Sequence, residues 1–315
     1  MTKRRALQKE LHSLEYRLMV ASAGFTRRPP LSYLWDAWWA SRTPRLRGNT
    51  TMSLHGRSAT VNNGFAYPAF IRRWPEYNRP LARAATLLRT TTGRPITIVD
   101  VGAAVGDTVL LLAEGRDADT DTYICVEPED EFRQDLRRNT ESLGNVEIHP
   151  QMLSDREEEV PDLVRHHPGT ASPQGRGHRS AVTLDTIVAG RHVDLIKVDT
   201  DGYDGKVLAG ARRVLSQSQP VVLFEWHPIL LDRCGQSATR PFEVLTDAGY
   251  TRFVWFTKHG LLDHGENGYD PAAVDRLGRA CVEDKMPEPD WHYDVLAATS
   301  RHMAVADKML THPRA

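Results

Sequence analysis

Apolar positions along the chain change their spacing near residue 95. Upstream, Leu7, Leu11, Leu14 and Leu18 recur at helical intervals, which predicts an amphipathic helix from Lys3 to about Ala23. Arg28-Pro29-Pro30 interrupts the pattern, and residues 31–40 (LSYLWDAWWA) then place Trp35, Trp38 and Trp39 on one helix face. Residues 41–64 contain Pro44, Gly48, Gly56, Asn62, Asn63 and Gly64 and read as an irregular connection. A further helix is predicted from Asn78 to Thr91, with Asn78 as its cap, Pro80 in the first turn and Gly93 as its terminator.

Downstream of Pro95, short apolar runs alternate with helical segments. Strands are predicted at 96–100, 122–127, 146–149, 193–198 and 221–225, and helices at 107–114, 129–139 and 206–215. Continuous β-branched runs separated by helices of this length indicate parallel strands covered on both faces. Segments 251–256 and 293–297 predict a final strand pair. Residues 157–179, charged and then rich in Gly, Pro and His, read as a mobile loop. The expected organisation is a helical extension at 1–94, an α/β domain at 95–300 and a tail at 301–315.

Composition narrows this picture. With 315 residues, 40% hydrophobic and 26% charged, the chain can bury a core and is neither collagenous nor wholly disordered. The longest apolar run, 109–113, is far short of the roughly 20 residues a bilayer span needs. Lys3, Arg4 and Arg5 resemble the start of a signal peptide, but Lys9, Glu10, Glu15 and Arg17 break the apolar stretch that should follow. Cys125, Cys234 and Cys281 are scattered, which argues against a disulfide framework and fits a reducing, cytoplasmic location.

The net charge of −1 hides an asymmetry. Residues 1–94 carry 17 Lys/Arg against 4 Asp/Glu, a net of +13, and the remainder is −14. Such a basic arm can dock on its own acidic body, on a second copy to make a homodimer, or on an anionic partner such as a membrane surface. The Trp-rich segment is the candidate dimer contact. No zinc finger or RNP-like signature points to nucleic acid.

The candidate chemistry sits where apolar strands end. Val99-Asp100-Val101-Gly102-Ala103-Ala104-Val105-Gly106-Asp107 reads as a buried strand, a Gly-x-x-x-Gly turn and a helix start, a nucleotide site by position. Gly102 allows the turn, and Gly106 is expected to let a ligand approach. There is no GxxxxGK[ST], and Ala104 stands where a dinucleotide loop needs its second glycine. An acid before the first glycine repels phosphate but suits a cation, so Asp100 favours the sulfonium end of S-adenosylmethionine (SAM). Glu127, 21 residues after Gly106, is placed to accept from two ribose hydroxyls. Ser154 and Asp155 are expected at the adenine edge, with Met152 or Leu153 against its face.

A second cluster follows. Asp194, Asp199, Asp201 and Asp204 lie within eleven residues, closing another buried strand. Asp199 is the candidate functional acid, and Asp204 is expected to cap the next helix. Glu225 interrupts an apolar strand, and His227, between Trp226 and Pro228, suits a general base or a metal ligand. Asp199, Glu225 and His227 are thus the candidate catalytic set and also the residues that would hold a divalent cation such as magnesium. The loop histidines, His259 and His264 among them, show no HExxH spacing and read as solvated.

At these residues the sequence resembles the FkbM family of SAM-dependent methyltransferases. The likeness covers roughly 95–230 and rests on VDVGAAVGDT, CVEP, MLSD, TLDTIV, LIKVDTDGYDGKVLAGA and FEWHP. A looser one extends to Ala66-Tyr67-Pro68 and Tyr77-Asn78-Arg79-Pro80. The resemblance implies a class I, Rossmann-like methyltransferase fold: a doubly wound, mostly parallel seven-stranded sheet, here with a helical N-terminal extension. It also implies methyl transfer to a hydroxyl of a sugar, polysaccharide or secondary metabolite. Cofactor contacts would fall on Asp100, Gly102, Gly106 and Glu127, and active-site acids on Asp199 and Glu225; Asp107, at the helix start, is a further cofactor-binding candidate by its position in the loop. Asp199-Thr200-Asp201-Gly202 stands where many members have Asp-Val-Glu-Gly, and Ala104 replaces a commoner Asn-Val style turn. Two rival readings remain: a non-catalytic nucleoside-binding module that holds a partner with its basic arm, and a nucleic-acid methyltransferase, which lacks the NPPY or DPPY tetrapeptide.

Overall fold

Helices α1 (Lys3–Ala23) and α2 (Leu31–Arg42) form where the periodicity places them. The computed structural model describes residues 3–115, 120–167, 170–286 and 290–314, without the side chains of 3–6 and 165–174. The face α1 buries is the reverse of the expected one. Tyr16, Met19, Val20 and Ala23 are buried, whereas Leu7, Leu11, Leu14 and Leu18 are each 56–58% exposed. The partner offered by α2 is aromatic, with Trp35 stacked on Trp39 at 4.9 Å and donating its indole N–H to the Met19 carbonyl at 3.1 Å. Trp35 is buried and Trp38 and Trp39 pack against the same cluster, so the tryptophans serve this core.

Residues 41–64 are not irregular. Strands β1 (Asn49–Leu54) and β2 (Arg57–Asn62) pair antiparallel about His55 (φ 49°) and Gly56 (φ 78°). Two successive positive φ values give the primed turn whose twist matches that of a hairpin. Helices α3 (Tyr67–Arg73) and α4 (Arg79–Thr92) follow. Asn78 occupies the N-cap of α4 in a left-handed conformation without a side-chain cap bond, while Gly93 ends the helix as expected.

The α/β part then runs β3 (Thr97–Val101), α5 (Asp107–Leu112), β4 (Thr122–Val126), α6 (Asp130–Thr140) and β5 (Val146–His149). Next come β6 (Met152–Leu153), β7 (Glu158–His167), β8 (Thr170–Val182), α7 (Leu184–Val188) and β9 (Leu195–Val198). Helices α8 (Asp204–Ala209) and α9 (Arg212–Gln217), β10 (Val221–Trp226), α10 (Pro228–Arg233) and α11 (Arg240–Asp247) follow. The chain closes with β11 (Arg252–Thr257), β12 (Leu262–Asn267), α12 (Pro271–Arg279), β13 (Tyr293–Ala298) and α13 (Met303–Met309).

The main sheet has the order β12-β11-β13-β10-β9-β3-β4-β5. Strands β5, β4, β3, β9 and β10 are parallel, and β13 lies antiparallel between β10 and β11. This is a doubly wound α/β sheet of class I methyltransferase topology, with β11 and β13 as the predicted final pair. Strand β12 is an eighth, edge strand; its sequence LDHGEN is polar and mostly exposed, so no apolar run announces it.

Three further expectations are corrected. The helix predicted at 206–215 is split between α8 and α9, and a Cβ on Gly210 would lie 2.2 Å from the Ser154 carbonyl oxygen. Residues 157–179 are not a loop but most of the β7–β8 hairpin, whose inner end pairs with β6. Charges, Pro and Gly mask its alternation. Residues 301–315 are not a tail: Val305, Ala306 and Met309 of α13 are buried on the same sheet face as Leu81, Ala84 and Leu88 of α4. The layer covering that face therefore spans the boundary drawn at residue 94.

The extension docks on its own body. Val105, Leu110 and Phe132 share a core with Tyr16, Trp35 and Phe65. The Asn139 amide oxygen accepts from the Thr60 N–H at 2.7 Å and its Nδ2 donates to the Thr60 carbonyl at 2.9 Å, holding β2 on α6. Among the described residues, no helix is long and apolar enough to cross a membrane.

Candidate active site

The chain leaves β3 toward β4 and β5 on one side, and β9 leads to β10 on the other, so the carboxyl ends of β3 and β9 flank a topological switch point. The turn after β3 needs both its glycines, for different reasons. Gly102 has φ 79°, and a Cβ there would lie 1.9 Å from the Asp199 carbonyl oxygen, so the loops after β3 and β9 pass in backbone contact. Gly106 has φ 85°, and its Cβ would meet Leu136 Cδ1 at 2.8 Å and Thr140 Cγ2 at 3.1 Å. Glycine at 106 thus serves the packing of α5 on α6 rather than the approach of a ligand.

A cavity of about 980 Å³ opens at this switch point. Glu127, at the end of β4, lines it and is 5% exposed. Its Oε2 accepts from the Ala104 N–H and its Oε1 from the Glu129 N–H, both at 2.8 Å. Burial pushes its carboxyl up to about 7 despite those two bonds. Asp107 opens α5 against the same cavity with no protein partner on Oδ1, and burial raises it likewise to about 7. Gln151, Met152 and Leu153 line the cavity beside Glu127, and the Gln151 Oε1 has no protein partner.

Asp100 and the third-strand residues differ from expectation. Asp100 is fully buried behind the cavity, 3.3 Å from the Lys197 ammonium. Ser154 is fully buried and bonds Glu158 Oε1 at 2.5 Å, and Asp155 lies near Arg156, so neither lines the cavity. Glu158 of β7 draws Ser154 away, leaving Gln151 as the polar group beside Met152.

The other half of the cavity carries the second cluster. Asp199 reaches in from the end of β9, its side chain 46% exposed and 3.3 Å from Lys197 Nζ. Lys197 is itself buried and donates to the Gly102 carbonyl at 3.0 Å. Burial alone would lower its pKa, but Asp100, Asp199 and Asp107 together hold it above the ordinary lysine range. Asp204 is fully buried and accepts from the N–H groups of Thr200 (3.3 Å) and Gly202 (3.2 Å), closing the loop ahead of α8 while Tyr203 occupies the N-cap.

Glu225 lies in register with Asp294 on β13, and burial, then the charge of Asp199, raises its carboxyl well above the usual range. Its Oε1 is 3.5 Å from His292 Nε2. His227 is buried, its Nε2 3.2 Å from Asp290 Oδ1 and its ring stacked on His292 at 4.9 Å. Burial, then the neighbouring His227, pushes His292 down to about 3. Among the described residues, His227 Nδ1 has no hydrogen-bond partner.

Asp199, Glu225 and His227 line one cavity, yet among the described residues no three His, Cys, Asp or Glu side chains form a group that could hold a metal ion. The countercharge beside Asp199 is the Lys197 ammonium. Among the contributors that escaped the sequence reading are Lys197, Gln151, Tyr77 and His292. A lone cation inside LIKV was a usable signal for Lys197, whereas the other three enter only through tertiary packing. Tyr67, Phe70 and Tyr77, with Trp39 of α2, wall the cavity from the extension. His264 is solvent-exposed as expected, with one ring face on Trp255 (5.4 Å), whereas His259 is half-buried and stacks on Trp74 (4.3 Å).

Residues 100–251 match the model of the methyltransferase FkbM domain. No curated protein matches the chain. Among solved structures, a methyltransferase FkbM from Methylobacillus flagellatus KT is 16% identical over 86% of this chain and 72% of its own, with a TM-score of 0.41. Magnesium protoporphyrin IX methyltransferase from Synechocystis PCC 6803 is 11% identical over 74% and 87%, at 0.39. Precorrin-6y C5,15-methyltransferase from Geobacter metallireducens GS-15 is 14% identical over 69% and 87%, at 0.37. Likeness at this level adds nothing to the topology already described. Residues 100–251 are thus a methyltransferase FkbM domain.

Proposed function

We propose that the protein is a SAM-dependent O-methyltransferase acting in the cytoplasm on a hydroxyl of a sugar, polysaccharide or other metabolite. The observation that supports this most is one cavity with two chemically distinct halves: Glu127, Gln151 and Asp107 on one side, Asp199, Glu225 and His227 on the other. Its volume of about 980 Å³ lies at the upper end of small-molecule sites, enough for a nucleoside and an acceptor together.

The residues fit the cofactor. Each Glu127 oxygen spends one lone pair on a backbone N–H and keeps another for a ribose hydroxyl. Gln151 offers an unpartnered amide oxygen to an adenine edge, with Met152 and Leu153 as apolar cover. Asp107 presents an unpartnered carboxyl oxygen to the cationic amino acid end. A diphosphate would instead meet the carboxyls of Asp107, Glu127 and Asp199.

When bound, SAM supplies an electrophilic methyl group. The chain must then align the acceptor oxygen, exclude water and take the hydroxyl proton. His227 suits the last task. With Nε2–H donated to Asp290, Nδ1 carries a lone pair that no described residue uses. Asp199 is the alternative base. Tyr67, Phe70 and Tyr77 offer apolar ring faces to an acceptor.

Calorimetric titration with S-adenosylhomocysteine (SAH) and, separately, NADH tests the cofactor half. Methyl-labelled SAM with a panel of saccharide and small hydroxylated acceptors tests the other. Tight SAH binding with transfer to a hydroxyl is expected. NADH binding in place of SAH would overturn the reading. SAH binding without transfer to any acceptor, together with tolerance of alanine at 199 and 227, would point to a nucleoside-binding module instead.

A further inference from the structure

Exposed apolar surface is concentrated in one segment. Of the ten large hydrophobic side chains most exposed among the described residues, eight fall between 7 and 34. Leu7, Leu11, Leu14 and Leu18 form a continuous stripe along α1, Phe25 beyond its end is 87% exposed, and Leu34 on α2 is 66% exposed. Folded chains scatter such residues; a contiguous set marks a surface that another phase or molecule covers. The opposite face of α1 is fully used by the core of the extension, so the leucine stripe has no place inside the fold.

Charge identifies the occupant. Residues 3–28 hold seven Lys/Arg against Glu10 and Glu15, and Glu15 is tied to Arg42 at 2.6 Å. The next acid, Asp36, is tied to Arg73 at 2.6 Å. Two copies meeting along the stripe would bring together two segments of the same net positive charge. An anionic bilayer meets both demands at once, with leucines and Phe25 at the acyl boundary and basic side chains at the headgroups. We propose that the exposed face of α1 and the start of α2 is a peripheral binding surface for an anionic lipid bilayer. Helix α2 also contributes Trp39 and Ala40 to the cavity wall, so the docking surface and the candidate active site share an element.

The test is flotation of the full chain with vesicles of phosphatidylcholine alone, and of phosphatidylcholine with about one third phosphatidylglycerol. Binding to the anionic vesicles only, lost in about 0.5 M salt, is expected. Leu11→Glu/Leu14→Glu should lower partition by at least about tenfold. Both leucines are 56% exposed, so the melting temperature should not change. Phe25→Ser, at an 87% exposed site, serves if that variant misfolds. Absence of flotation, equal binding to neutral vesicles, or unchanged binding by the variants would overturn the proposal. So would a sedimenting dimer that Leu11→Glu/Leu14→Glu disperses without any vesicle binding, since a second copy would then be the occupant.

Discussion

Asp100 and Lys197 stand opposite each other in register on β3 and β9, with Nζ 3.3 Å from Oδ1 and both side chains buried. The pair bridges the two strands at the switch point, and Lys197 reaches on to Asp199 and the Gly102 carbonyl. One ammonium therefore ties together the loops that form the floor of the cavity. Lys197→Met leaves Asp100 buried without a countercharge and should cost about 3–5 kcal/mol. Lys197→Met/Asp100→Asn should recover a large part of that loss. Urea denaturation of the two variants checks this, and equal stabilities would show that the pair is not coupled.

Asp107 ties stability to pH. Burial raises its carboxyl from 3.8 to about 7, so the folded state holds this proton more tightly than the unfolded chain. Its contribution is full below about pH 4 and is lost as the pH rises toward 7. Asp107→Asn abolishes that loss. In the ligand-free protein it should match the parent near pH 4 and exceed it at pH 8 by on the order of 2–4 kcal/mol. Identical denaturation midpoints at pH 8 would contradict the burial argument.

Glu127→Ala removes the candidate ribose acceptor together with the bonds to the Ala104 and Glu129 N–H groups. SAH binding should weaken by about 1.5–3 kcal/mol, measured by titration calorimetry. An unchanged dissociation constant would remove Glu127 from the cofactor site.

His227 and Asp290 form the candidate base and its orienting partner. His227→Ala should lower kcat by roughly 10²–10⁴ with SAH affinity within about twofold, as for a general base. Asp290→Asn should have a smaller effect in the same direction, because it disturbs the tautomer and not the ring. A loss confined to SAH affinity would place His227 in the cofactor half instead.

The strands at 97–101, 122–126 and 221–226 were legible because each is a largely apolar run with a glycine, acid or proline near its end, and 146–149 (VEIH) because it alternates apolar and polar residues ahead of Pro150. Glu127 and Asp199 were legible for the same reason, as acids closing such runs. Strand β12 and the β7–β8 hairpin were not, since their backbones are paired while many of their side chains face solvent. Ser154 was misplaced because the hairpin that captures it through Glu158 gives no local signal.

By itself the sequence determined the α/β alternation, the acid-ended strands and the helical extension, since backbone periodicity and turn chemistry act over a few neighbouring residues. Tertiary structure decided which side of each element is used. It turned the leucine stripe of α1 outward, set Gly106 against α6, withdrew Asp100 behind Lys197, and brought Gln151, Tyr77 and His292 to the cavity. Those choices depend on what stands opposite in space, and a packing partner a hundred residues away leaves no mark on the local pattern.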